Sequence, residues 1–83
     1  MKAEVAAKHA LRVVTSHTKK LRKQYGENAK VSMQPAAILS KLGNMFGMSQ
    51  GGLNRGLALL ASEGKLVRTV KGGKSVYSLN EGQ

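Results

Sequence analysis

The sequence contains no cysteine and no tryptophan, a single proline, and only four acidic residues among 83. Without cysteine there is no disulfide framework to stabilise so short a chain, and no thiolate to bind zinc or act as a nucleophile. A domain of this size buries only about 60% of the surface that its unfolded chain exposes, so it has room for one modest core. We therefore expect one small domain whose stability rests on packing alone.

Side chains that carry out catalysis are also scarce. The two histidines, His9 and His17, lie eight residues apart, which on a helix is about 80° out of alignment and a poor geometry for one metal ion. The four carboxylates are scattered along the chain at Glu4, Glu27, Glu63 and Glu81. This pattern offers no acid, base or metal constellation. We expect no enzymatic activity, no metal and no cofactor.

Positive charge is what the chain has in excess. Fourteen Lys and Arg residues oppose the four acidic ones, for a formal net charge of +10. A basic chain of this kind suits a polyanion, and nucleic acid is the commonest polyanion for a small protein to bind. No apolar run approaches the roughly 18 residues of a transmembrane helix, and the first residues lack the apolar stretch of a signal peptide. The expectation is a cytoplasmic, nucleoid-associated protein.

The first 25 residues have the pattern of one long helix. Residues 3–25 contain neither Gly nor Pro and are rich in good helix formers, and Gly26 is a natural end for the helix. A stripe repeats at spacings of four and three: Ala3, Ala7, Ala10, Val14, His17, Leu21 and Gln24. Such a stripe fits either the dimerisation arm of a homodimer or a single long packing helix, and both interpretations stay open.

The pattern after Gly26 predicts a short strand, two helices and a hairpin. Residues 31–33 favour a very short strand, and Pro35 opens a second helix that runs to about residue 46. Ser49 is a good N-cap for a third helix over residues 49–63, which Gly64 ends.

After the third helix the residue pattern changes from helical to strand-like, which predicts a hairpin. Residues 65–70 and 75–79 are rich in β-formers, and Gly72-Gly73 between them predicts a two-residue turn with a lysine on each side.

Three glycines in the middle of the chain favour a helix-turn-helix. This motif needs two helices that cross at short distance and a tight turn between them. Gly43 and Gly47 occupy the places where a small residue and a positive φ are required. Gly56, on the inner side of the third helix, is expected to let its backbone approach Gly43 closely.

Residues 49–79, SQGGLNRGLALLASEGKLVRTVKGGKSVYSL, contain an ordered set of motifs. These are the cap Ser49, Leu53, the pair Asn54-Arg55, Leu57 and Leu60, the helix exit 64–67, the basic turn 71–74 and the closing strand 76–79. In this order they resemble the recognition helix and wing of the winged helix-turn-helix family of DNA-binding proteins. With the second helix included, the resemblance covers residues 31–79.

The resemblance implies an α+β winged helix-turn-helix fold that binds duplex DNA, with the third helix in the major groove. The recognition-helix contacts that it implies are Ser49, Gln50, Gly51, Asn54 and Arg55. The wing contacts are Arg68, Lys71, Gly72, Gly73 and Lys74. Contacts to the DNA backbone beside the groove are expected from Lys19, Lys20, Arg22, Lys23 and Lys41.

The chain departs from the family at Gly51 and Gly52, where most members carry side chains that touch bases. Bare backbone at a helix N-terminus suits a phosphate, so we expect backbone contacts to outweigh base reading. The expected function is that of a small dimeric transcriptional regulator or architectural factor, with no small-molecule substrate.

Two other functions stay open. The hairpin is also similar to that of the winged-helix small-subunit ribosomal protein of archaea and eukaryotes, which makes an RNA-binding, ribosome-associated protein the alternative. Proteins that recognise unpaired RNA bases normally stack them on exposed aromatic side chains. This chain has only three aromatic residues, Tyr25, Phe46 and Tyr77, and the last two are expected in the core. A protein-interaction module is the third class, and the net charge argues against it unless the partner is strongly acidic.

The expected organisation follows from these motifs. Residues 1–26 form the N-terminal helix, residues 27–80 the winged helix-turn-helix domain, and residues 81–83 a tail.

Overall fold

The computed structural model describes residues 2–42 and 49–81. Within them, three helices precede a two-stranded antiparallel sheet. The elements are α1 (Ala3–Tyr25), α2 (Pro35–Leu42), α3 (Gln50–Ser62), β1 (Leu66–Lys71) and β2 (Lys74–Leu79). The α+β class and the order of helices and hairpin are confirmed. The predicted turn at Gly43 and Gly47, together with Phe46, lies outside the described residues.

Helix α1 packs against the rest of the chain through one face. Of the predicted stripe, Ala7, Ala10 and Val14 are buried, and Ala6 and Thr18 join them. The helix ends at Gly26, whose φ of 112° is in the region that favours glycine. The small side chains allow close approach, so this part of the stripe lies in the core of the same chain.

Helix α3 approaches α1 closely at Gly56. A Cβ at Gly56 would lie 2.7 Å from the backbone N of Ala7 and 2.9 Å from the backbone C of Ala6. The backbone of α3 therefore rests directly on that of α1. The neighbour that the sequence predicted for Gly56, Gly43, lies outside the described residues.

Helix α3 has a capped beginning and a glycine end. The Ser49 side-chain oxygen accepts a hydrogen bond from the backbone N–H of Gly52 at 3.1 Å, as its predicted role as N-cap requires. Gly64 follows the helix with a φ of 75°. Between these ends Leu53, Leu57 and Leu60 face inward and are buried.

The core lies between α1, α3 and the sheet. Its members come from all five elements and from the segment before α2: Ala6, Ala7, Ala10, Val14, Met33, Ile38, Leu42, Leu53, Leu57, Leu60, Leu66 and Tyr77. The N-terminal half of α1 thus belongs to the same core as the segment expected to form the separate domain.

The hairpin pairs in a single register from Leu66 with Leu79 to Lys71 with Lys74. Gly72 and Gly73 form its turn, both with positive φ, as a two-residue turn of this type requires. The predicted strand over residues 31–33 is reduced to one bridge, in which Met33 and Tyr77 exchange two backbone hydrogen bonds of 2.8 Å. Pro35 follows two residues later and begins α2, which leaves no room for a longer strand.

No helix in the described part of the chain is both long enough and apolar enough to span a bilayer.

Candidate nucleic-acid interface

A groove of about 490 Å³ opens where the N-terminal ends of α2 and α3 meet one face of the hairpin. It is lined by Gln34, Pro35, Ala36, Gln50, Asn54, Arg68, Lys74, Ser75 and Tyr77. Four of the residues expected to touch DNA, two from the helix and two from the wing, therefore share one surface. No carboxylate is among the lining residues, so the two cations give this groove a positive potential. We call it the α3–hairpin groove.

On the helix side of the α3–hairpin groove, two amide side chains hold each other in place. Gln50 and Asn54 are one helical turn apart, and Gln50 Nε2 donates a hydrogen bond to Asn54 Oδ1 at 3.2 Å. Both residues are exposed. An exposed pair of amides can donate and accept hydrogen bonds toward a ligand in the groove.

On the hairpin side, strand alternation places Arg68 on the face that turns toward the core. Arg68 lies on the same face of the sheet as the buried Leu66, because side chains two apart along a strand share a face. Its Nε donates a hydrogen bond to Ser75 Oγ at 3.0 Å across the strands, which holds the guanidinium beside the groove.

The two lysines of the turn, Lys71 and Lys74, are cross-strand partners, and like charges in that position repel. By strand alternation both side chains leave the face of the sheet opposite to that of Arg68. Lys74, at the start of β2, also lines the α3–hairpin groove, whereas Lys71 lines a depression with Thr69 and Val76. Both lysines were predicted to contact DNA from the wing, and these contacts stay a prediction.

The beginning of α3 presents bare backbone to solvent. Gly51 is exposed, and a Cβ placed there would meet nothing within 4 Å. Ser49 is exposed as well, and its side chain is engaged in capping the helix.

Arg55 lies two residues from the buried Leu53, about 200° around the helix, so it points outward from α3. It does not line the groove.

The basic residues predicted to contact the DNA backbone do not line the α3–hairpin groove, and their contacts to DNA stay a prediction. None of Lys19, Lys20, Arg22, Lys23 and Lys41 is among its lining residues. Both terminal nitrogens of the Arg22 guanidinium donate to the Glu81 carboxylate, and Arg22 Nε donates to the carbonyl of Ala29 at 3.3 Å. The hydrogen bonds from Arg22 lower the pKa of Glu81 below its ordinary value. Arg22 therefore ties α1 to residue 81 and has its guanidinium occupied.

Five residues of the groove were missed at the sequence level: Gln34, Pro35, Ala36, Ser75 and Tyr77. Pro35 did mark the start of α2, but its place beside α3 depends on the bridge between Met33 and Tyr77, which joins segments 44 residues apart. Composition gives no signal for such a pairing.

The described tyrosines offer the groove no exposed ring, and the described histidines and carboxylates form no metal site. Among described residues, Tyr77 is in the core at 6% exposure and Tyr25, at the end of α1, is 75% exposed. Within residues 2–42 and 49–81, no three histidine or carboxylate side chains lie close enough together to hold a metal ion.

Comparisons of the chain with models of protein families, with curated proteins and with solved structures each gave no match.

Proposed function

We propose that this protein binds double-stranded DNA as a winged helix-turn-helix module and carries out no catalysis. In this proposal the N-terminal half of α3 enters the major groove and the hairpin lies along the backbone. One observation supports it most: Gln50, Asn54, Arg68 and Lys74 line a single groove that has no carboxylate. Duplex DNA presents base edges next to phosphates. The amides of this groove can form hydrogen bonds with base edges, and its cations can bind the neighbouring phosphates.

The dimensions of α3 fit this mode. Its 13 residues span about 20 Å at 1.5 Å per residue, and the major groove of B-DNA, about 12 Å wide, admits one helix. Gln50 and Asn54 are amide side chains of the type that pairs with adenine, and Arg55 on the outward face suits guanine or a phosphate.

In this proposal the affinity for DNA comes mainly from contacts to the phosphates of the DNA backbone. Arg68, Lys74 and the open helix start at Gly51 are assigned the phosphate contacts, and base reading is assigned to three side chains of α3, Gln50, Asn54 and Arg55. The protein is therefore proposed to act as a nucleoid-associated regulator or architectural factor of modest sequence preference.

Structured RNA is less well suited to this surface. Proteins that read unpaired bases stack them on aromatic side chains, and the lining tyrosine, Tyr77, is buried. An RNA duplex also has a deep, narrow major groove that side chains cannot read.

The experiment that tests the proposal is the binding of a labelled duplex of about 20 base pairs across a range of salt concentrations. For each phosphate that a variant no longer neutralises, the slope of log K against log salt becomes shallower by about 0.9. The double variant Arg68→Ala and Lys74→Ala should therefore have a slope shallower by about 1.8 and bind at least tenfold more weakly at about 0.1 M salt.

The matched control removes two exposed cations elsewhere, Lys2→Ala and Lys65→Ala, for the same change in net charge. It should retain the wild-type slope. Equal weakening in both double variants would reduce the effect to bulk charge and contradict the proposed groove. Tighter binding to a structured RNA competitor than to duplex DNA would favour the RNA function instead.

A further inference from the structure

The outward face of α1 carries a second basic surface. Its cations are Lys8, Arg12, Lys19, Lys20 and Lys23, all exposed. At 100° per residue they cluster on the side of the helix opposite to the buried Ala10 and Val14. Lys41 of α2 extends the surface, since it lines one depression together with Arg12 and Lys20. We call these six residues the α1 basic face.

Within residues 2–42 and 49–81 no member of the α1 basic face forms an ion pair, although Glu4 and Glu63 line the same depression as Lys8 and Arg12. Among described residues the ion pairs are Arg22 with Glu81 and Lys65 with Glu63, and neither includes a member of this face. Lys8 with Arg12, and Lys19 with Lys23, are like charges four residues apart, a spacing that is unfavourable on a helix.

The helix dipole does not account for this arrangement. It favours cations only in the last turn, and the basic residues there are Arg22 and Lys23. Lys8 and Arg12 lie in the N-terminal half of α1, where the dipole offers them nothing. A cationic row of about 15 residues that repels itself is stabilised when a polyanion runs along it.

The part of the α1 basic face at Lys8 and Arg12 and the α3–hairpin groove lie at different ends of α3. The groove is lined by Gln50 and Asn54 from the beginning of α3, whereas the depression beside Lys8 and Arg12 is lined by Leu59 and Glu63 near its end. These ends are about 20 Å apart along the helix. The two surfaces share no lining residue.

We infer that the α1 basic face binds the phosphate backbone of a second DNA duplex, so that one molecule bridges two duplexes. This inference rests on the proposed function, in which the α3–hairpin groove holds the first duplex. The second contact has no side chains suited to base reading, because the face consists of lysines and one arginine, so it is independent of sequence and strongly dependent on salt.

The test is a capture assay with the full chain. A biotinylated duplex of about 20 base pairs is immobilised, loaded with protein, and offered a fluorescent duplex of unrelated sequence. The wild type should retain the fluorescent duplex at low salt. The variant Arg12→Gln, Lys19→Gln, Lys20→Gln and Lys23→Gln keeps helix-forming side chains and removes four positive charges. It should retain at least tenfold less fluorescent duplex, while its affinity for a single duplex stays within about threefold of wild type.

The matched control removes four cations of α3 and the hairpin, all outside the α1 basic face: Arg55→Gln, Arg68→Gln, Lys71→Gln and Lys74→Gln. It has the same net charge as the α1 variant and should lose affinity for the single duplex. Circular dichroism of both variants checks that they are folded.

Three results would overturn the inference. If the wild type binds one duplex but captures no second one, there is no bridging, and the proposed function still stands. If the α1 variant captures as well as wild type, bridging comes from self-association of the chain. If both variants lose single-duplex affinity equally, the two faces serve one duplex. A wild type that binds no duplex at all would refute the proposed function as well.

Discussion

Replacement of Gly56 by alanine tests the contact between α1 and α3 on which the fold depends. The added Cβ would lie 2.7 Å from Ala7 N and 2.9 Å from Ala6 C, and both are backbone atoms that cannot rotate away. The helices would have to separate by about 0.7 Å for the closer approach to reach the 3.4 Å of ordinary contact. Overpacking of this kind costs about 1–3 kcal/mol, and the better helix propensity of alanine offsets up to about 1 kcal/mol of it.

We therefore expect Gly56→Ala to lower the free energy of unfolding by about 1–2 kcal/mol. For a domain of this size that is a fall in Tm of roughly 5–15 °C. The control is Gly51→Ala, also within α3 but with open space around its Cβ, which should raise Tm slightly through helix propensity alone. Thermal unfolding followed by circular dichroism measures both. A Gly56→Ala protein as stable as Gly51→Ala would refute the close packing of α1 on α3.

Other substitutions test the cap, the surface ion pair and the hairpin. Ser49→Ala removes the acceptor for the Gly52 N–H and should cost about 1 kcal/mol, seen as a lower Tm that Ser49→Asp does not show. Because its partner Arg22 lowers the pKa of Glu81 below the ordinary 4.5, this carboxylate stabilises the fold above that pH and ceases to do so as the pH falls through the lowered value. Between pH 5 and pH 3 the free energy of unfolding, measured with urea, should therefore fall less in Glu81→Gln than in the wild type. An unchanged pH dependence would contradict the ion pair between Arg22 and Glu81. Lys71→Ala and Lys74→Ala each relieve the repulsion across the turn and should stabilise by a few tenths of a kcal/mol. Only Lys74→Ala should weaken duplex binding, and equal weakening by both would place Lys71 on the same surface.

Local patterns in the sequence were enough to predict most elements of the fold. The bounds of α1 at Ala3 and Tyr25, the start of α2 at Pro35 and the Ser49 cap all follow from helix formers and their stop signals. The Gly-Gly turn likewise predicted the hairpin, because only a two-residue turn with positive φ joins strands so closely.

Relations between distant segments were not predictable in the same way. Gly56 signalled a close helix contact, but the sequence did not reveal that its neighbours would be Ala6 and Ala7, about 50 residues earlier. The sequence did not show which face of the hairpin lies toward α3, so it could not separate Arg68 from the two lysines of the turn. Arg22 was counted among the DNA contacts because its partner Glu81 lies 59 positions away.

Four of the nine residues that line the candidate groove were predicted. Gln50, Asn54, Arg68 and Lys74 came from the resemblance to a known arrangement of helix and wing. The residues that α2 and the preceding segment contribute were missed, because their position depends on the single bridge at Met33 and Tyr77.

The most direct test of duplex binding through the α3–hairpin groove is a titration of the isotope-labelled protein with a short DNA duplex, followed by the amide resonances in two-dimensional NMR. The backbone amides of Gly51, Gly52 and Ser75 should shift or broaden at substoichiometric duplex, and that of Gly64, at the far end of α3, should stay in place. Duplex binding that leaves the amides of Gly51, Gly52 and Ser75 unchanged would contradict the central claim.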